Sequence, residues 1–268
     1  ALENGVHQLV YNQDSYAILL VHGYYPPGWK AIHHELIEPL NYLSQNNIRT
    51  FLFKYDWNRC PDEIGKDLVS QLEILFQQFP KIDQWEIIGH SMGGTSILVA
   101  NQTLVPNNKD ITFHTVATAV NIVENKIPFW IRLIRKFQGF DRCDYNINSL
   151  NDEIENGFPS PLVEWRNLQA FDSQYKLYPF DVYDKKIKNS IVYTFPDSID
   201  GERVGHTKSL YFSVLEIVGK NFNSFIVVKA GQAKTKRRVI LKTKSPITNA
   251  VGIIIEDSTP KQIGRAHV

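Results

Sequence analysis

One serine lies in surroundings that could make it a nucleophile. Ser91 sits in Gly89-His90-Ser91-Met92-Gly93-Gly94, with glycine two places away on each side. The apolar run Trp85-Glu86-Ile87-Ile88 stops at Gly89, and a small-residue, helix-prone run begins at Gly93. A strand, a tight turn and a helix around G-x-S-x-G form a nucleophile elbow, which holds the serine in strained backbone geometry. Side chains at 89 and 93 would collide with neighbouring chain there, so glycine fits. The first N–H groups of the helix have no internal partners and point at whatever the serine attacks.

A serine hydroxyl needs a base, and the base needs an orienting partner. The chain holds eight histidines. His7 and His267 lie near the ends, His33 and His34 fall on a helical stretch, and His114 falls inside a strand. His90 adjoins Ser91, and neighbours on such a turn point apart; His22 closes a strand. His206 remains, on a loop after a strand and before a helix, and it is the expected base. The order Ser…acid…His fits. Asp200 is the preferred acid, because Asp200-Gly201 makes a turn that presents a carboxylate. Asp197 is close behind it. Asp181 and Asp184 become candidates if a short strand precedes them and Ile191–Phe195 is the final strand, and Glu124 is a remoter option. The N–H groups of Tyr24 and Met92 would form an oxyanion hole, with Pro26 and Pro27 stiffening the loop that carries Tyr24.

The elements that position these residues alternate. Tyr16–Val21 is a continuous apolar run, as in a strand buried on both faces. Residues 30–46 and 61–79 have helical apolar spacing, 48–55 and 111–120 read as strands, and Gln8–Tyr11 as a short one. Ile191–Phe195 and a helix carrying Leu210, Val214 and Val218 continue the pattern. Alternating strands and helices imply a mostly parallel sheet with helices on both faces. Reactive groups then gather at the carboxyl ends of the strands, where His22-Gly23-Tyr24 and Ser91 both fall.

Residues 121–189 break the alternation and read as an insertion. Within it, Trp130, Leu133, Ile134 and Phe137 form one stripe over 128–137. That stripe fits either a lid making transient contact with a lipid surface or a helix packed on the core. From 223 to 268 the texture becomes that of a small β-rich extension, the main α/β domain being 1–222.

The 268 residues suit one large α/β domain with an appendage. A net charge of +1 argues against nucleic acid as a partner, and 43% hydrophobic content is ordinary. The basic cluster Lys234-Thr235-Lys236-Arg237-Arg238 reads as the polar part of an exposed hairpin. Cys60 and Cys143 are expected to be unpaired small hydrophobes, since a chain this size needs no staple. No apolar run is long enough to span a bilayer. Met92 is the only methionine, so a trimmed mature form is expected. Asn101-Gln102-Thr103 matches a glycosylation sequon but falls on a helical stretch.

These residues together resemble the α/β-hydrolase family, and in particular its lipases and esterases. The likeness covers about residues 15–220: strand-His22-Gly23 for the oxyanion loop, Gly89–Gly94 for the elbow, Gly205-His206 for the histidine loop. It implies an eight-stranded sheet or a reduced version of it, no cofactor and no metal. It further implies hydrolysis of a small-molecule acyl ester through an acyl-enzyme, and the apolar insertion with its stripe leans towards medium-chain or lipid-like acyl groups. Thioester, amide or lactone cleavage would use the same constellation, and a non-catalytic binding protein would leave it unused.

Overall fold

The computed structural model describes residues 3–23, 31–57, 59–106, 108–118, 150–166, 187–195, 198–199, 201–219, 226–229, 236–241 and 252–257. The first strands and helices follow the sequence expectation. They are β1 (Gly5–Val10), β2 (Tyr16–Val21), α1 (Ala31–Gln45), β3 (Thr50–Lys54), α2 (Pro61–Gln78), β4 (Gln84–His90), α3 (Met92–Thr103) and β5 (Asp110–Val116). After them come α4 (Asn151–Asn156), β6 (Leu162–Arg166), β7 (Ile191–Thr194), β8 (Ser198–Ile199), β9 (Glu202–Arg203) and α5 (Gly205–Gly219). The chain ends with β10 (Ile226–Lys229), β11 (Lys236–Leu241) and β12 (Gly252–Asp257).

Eight strands form one sheet in the order β1-β3-β2-β4-β5-β6-β7-β10. The six from β3 to β7 run parallel, while β1 and β10 close the edges antiparallel. Alternate side chains of β2 feed two cores. Ala17, Leu19 and Val21 join Ile64, Leu68 and Leu72 of α2 and Ile97 and Leu98 of α3. Ile18 and Leu20 face the other way, with Leu43 of α1 and Leu210 and Val214 of α5. Each such side chain stabilises the fold by about 1.5–3 kcal/mol, so the helices are bound through these stripes. The start of α2 is set locally, by Pro61 in its first turn and by Asp62 and Glu63 facing the positive end of the helix dipole.

Three sequence expectations change. The stretch 121–189 contains a strand of the core, β6, which pairs with both β5 and β7. Its signal was hidden by Glu164 and Arg166, which are buried because they satisfy each other. Arg166 Nη2 donates to Glu164 Oε2 at 2.6 Å, and Ser190 Oγ donates to Glu164 Oε1. The strand read over 111–120 ends at Val116, before Ala117 takes a φ of 47°. Cys60, which caps α2, is disulfide-bonded rather than a free thiol; the chain's other cysteine, Cys143, lies outside the described residues. Asn101 of the sequon is fully buried, holding the Ser160 main chain from both ends of its amide.

The stretch read as a β-rich extension sends its first strand, β10, into the main sheet, and β11 and β12 form a hairpin. The lid expectation for 128–137 lies outside the described residues. Among the described residues no helix is long and apolar enough to cross a membrane.

Candidate active site

The chain passes from β2 to β3 on one side of β2, then crosses to β4 on the other side. In parallel sheets the crevice beyond the strand ends at such a reversal is where ligands bind. Here the two carboxyl ends are level, Val21 opposite Gly89, so His22-Gly23 and His90-Ser91 leave the sheet side by side.

Ser91 stands between β4 and α3 with φ 53° and ψ −119°, a conformation that non-glycine residues rarely adopt. Its N–H donates to the Val116 carbonyl at 2.9 Å and its carbonyl accepts from Gly94 N–H at 3.0 Å. These bonds hold the turn while the residue stays half-buried. The glycines around it are demanded by neighbouring main chain. A Cβ on Gly93 would lie 2.4 Å from the carbonyl oxygens of both Val21 and His22, and one on Gly89 would lie 2.6 Å from the Gly93 oxygen. A Cβ on Gly23 would lie 3.0 Å from the Ser91 Cβ, so the strand-ending turn rests directly on the serine. Met92 opens α3, half-buried.

Tyr55 pins that turn. Its hydroxyl donates to the His22 carbonyl, and its ring stacks on the His22 imidazole at 4.1 Å with 6° between planes. The Tyr55 N–H donates to His22 Nε2 at 3.3 Å, which leaves Nδ1–H to donate to the Gly23 carbonyl at 2.7 Å. Burial lowers the His22 pKa, in keeping with this neutral tautomer.

His206 lies in the first turn of α5, half-buried. Its carbonyl accepts from Ser209 Oγ at 2.6 Å and from His90 Nε2 at 2.8 Å. The imidazoles of His90 and His206 lie 4.5 Å apart, centre to centre. On its other side His90 Nδ1 pairs with the Glu35 carboxylate of α1, and both residues are buried. Burial alone would lower the His90 pKa, but the Glu35 carboxylate outweighs it and holds the imidazole above its ordinary value. Burial would raise Glu35, but the His90 charge and hydrogen bond keep it below the usual carboxylate range. For His206, burial first and the His90 cation second push the pKa down to about 3, against an opposing pull from Glu35.

Of the residues expected to act, Ser91, Met92 and His206 are described, and the His206 main chain is one hydrogen bond from the residue before Ser91. Tyr24, Asp200, Asp197, Asp181, Asp184 and Glu124 lie outside the described residues. Sequence reasoning missed Glu35, Tyr55 and the part played by His90. For Glu35 there was a signal: it falls three places after Ile32 and one before Leu36, a charge within the apolar stripe of α1. Among the described residues no cluster of three or more His, Cys, Asp or Glu could hold a metal ion.

No protein-family model matches the chain, and no curated protein does. Solved structures match. An esterase from Exiguobacterium antarcticum superposes with a TM-score of 0.50 at 12% identity, covering 80% of this chain and 94% of that one. An esterase from Pyrococcus furiosus gives 0.50 at 16% identity, covering 79% and 81%. In another crystal form of the latter the match is shorter, spanning 61% of that chain and 57% of this one with a TM-score of 0.42. The switch point, the strand–turn–helix at Ser91 and these two superpositions lead to one conclusion: this chain has the α/β-hydrolase fold.

Proposed function

We propose that the protein is a serine hydrolase of carboxylic esters. One observation carries the reading. Ser91 occupies a strained, half-buried turn at the switch point, with the Gly23 main chain against its Cβ and the His206 segment bonded to its neighbour.

In this reading Ser91 Oγ attacks the ester carbonyl while His206 takes the hydroxyl proton. The carbonyl π electrons move onto oxygen, and the N–H groups of Met92 and Tyr24 receive that oxyanion, each such donor contributing roughly 3–4 kcal/mol to transition-state stabilisation. Collapse breaks the bond to the alcohol oxygen, which leaves with the proton from His206. Water, deprotonated by the same imidazole, then attacks the acyl-enzyme and releases the acid.

For the orienting acid, Asp181 and Asp184 follow β6 in the chain, but β10 lies beyond β7 in the sheet, so only half of the condition set for them is met. They stand beside Asp200 and Asp197 as candidates. Single Asp→Asn variants separate them, because loss of the true acid costs about 10⁴ in kcat with little change in folding.

The test of the whole reading is a fluorophosphonate probe with p-nitrophenyl esters of graded chain length and a parallel panel of thioesters, amides and lactones. The wild-type protein is expected to be labelled at Ser91 and to cleave the esters fastest, and Ser91→Ala to do neither. A folded Ser91→Ala protein with full esterase activity ends this mechanism. A profile peaking at acetyl esters removes the lean towards medium-chain, lipid-like acyl groups.

A further inference from the structure

We propose that Glu35 and His90 are positioning residues, a buried pair through which α1 holds the His206 main chain against the nucleophile turn. The inference rests on the reading of His206 as the base of an ester hydrolase, and it goes beyond that reading by assigning work to two side chains that never meet the substrate.

The geometry favours one protonation state. His90 directs Nε2 at a carbonyl oxygen, which can only accept, and Nδ1 at a carboxylate. Nε2 carries one proton, and Nδ1 faces the carboxylate in an ion-pair contact, which suits an imidazolium beside a carboxylate, the pair neutral as a whole. It is dry, with His90 fully buried and Glu35 8% exposed. A dry ion pair is a poor source of stability, because desolvation cancels most of the attraction, and apolar residues of similar volume often do as well. What an apolar pair could not supply is a donor to the His206 carbonyl or a positive charge 4.5 Å from the His206 ring.

Both have consequences for a base. The donor fixes the first turn of α5 relative to β4, and hence the imidazole relative to Ser91, where a misplacement of about 1 Å can cost 10²-fold in rate. The cation disfavours a second proton nearby, so His206 stays in the form that can accept one from the serine. Among the described residues, the charged groups that act on His206 include His90 from β4 and Glu35 from α1, and His22 at the end of β2 adds to the field on Glu35.

The experiment uses the full chain and three proteins beside the wild type. Ser91→Ala reports whether the hydrolase reading stands. The double variant Glu35→Met/His90→Leu removes both charges and leaves no buried orphan. Glu35→Gln keeps a neutral His90 with Nε2–H, and with it the bond to His206. The double variant is expected to melt close to the wild type yet to lose at least tenfold in kcat with KM unchanged, and its acid limb in kcat/KM moves to higher pH. Glu35→Gln is expected to recover most of that kcat. Ring ¹⁵N spectra of the resting protein at pH 7 should show His90 protonated on both nitrogens and His206 on one.

A folded double variant with wild-type kcat and an unmoved acid limb overturns the proposal, as does a His90 ring that is neutral at pH 7. So does a Glu35→Gln protein as impaired as the double variant. If the wild type is neither labelled nor active, the hydrolase reading falls, and the ring spectra still decide whether the pair exists.

Discussion

Replacing Gly93 by alanine tests whether main chain alone shapes the nucleophile turn. The added Cβ would stand 2.4 Å from the carbonyl oxygens of both Val21 and His22. These are backbone atoms at the end of β2, and no rotamer change removes them. The contact must open to about 3.0 Å, the least that real Cβ atoms tolerate, so the β2 end or the start of α3 has to move. Overpacking of this kind typically costs about 1–3 kcal/mol. The displaced atoms also carry Gly23 against Ser91, so kcat should fall by roughly 10²-fold in protein that still folds. Gly65→Ala is the control. Its Cβ would lie 2.6 Å from the Val99 Cβ and 2.8 Å from the Ser96 carbonyl, where α2 meets α3 rather than at the rim. Thermal melts should place both variants below the wild type, while fluorophosphonate labelling, corrected for folded fraction, should slow only in Gly93→Ala. Equal labelling rates in the two would refute the argument that the β2 end sets the nucleophile's geometry.

Tyr55→Phe removes the hydroxyl that donates to the His22 carbonyl; it should cost about 1 kcal/mol of stability and lower kcat severalfold, as read from melts and initial rates. With the His206 pKa depressed to about 3, the base is unprotonated well below pH 6.5, so the acid limb of kcat/KM should lie below pH 6 in a pH–rate profile. Glu216 on α5 is buried, its Oε2 has no hydrogen-bond partner among the described residues, and burial pushes its pKa up to about 8. A raised carboxyl pKa means that the folded state holds the proton more tightly, so this contribution is fully present below the ordinary 4.5 and is lost as pH rises through about 8. Relative to wild type, Glu216→Gln should therefore gain on the order of 2–3 kcal/mol between pH 4.5 and 7 in urea titrations; a difference independent of pH would count against it.

What could be read from the chain and what could not divide along a physical line. The elbow was legible because its demands are local: glycine where main chain passes close, and a run that changes period at one residue. β2 was legible because a strand buried on both faces has nothing but apolar side chains. β6 was not, because its two charges are neutralised by each other and by Ser190, and Ser190 lies 26 positions from Glu164. The partner of the Asn101 amide was hidden for the same reason, lying 59 positions away at Ser160. His90 was set aside on a sound rule, that neighbours on a tight turn point apart. The rule says where the ring does not go and nothing of what it meets, and the partners are Glu35 from α1 and His206, 116 positions on.

The two histidines dismissed from the reaction do opposite things at the same rim, and their partners explain why. His22 accepts from an N–H, so one of its nitrogens must be bare and the ring neutral. His90 faces a carboxylate and a carbonyl, and the Glu35 charge holds its ring in the doubly protonated form above the ordinary pKa. Exchange of these states would break both arrangements. A charged His22 would present a donor to the Tyr55 N–H, and a neutral His90 would give up either Glu35 or His206. The atoms that the strand ends present therefore push the two pKa values apart, His22 down and His90 up. Under the proposed reaction, His206 is the ring at this rim that takes a proton when Ser91 attacks, beside a His90 held in its charged form.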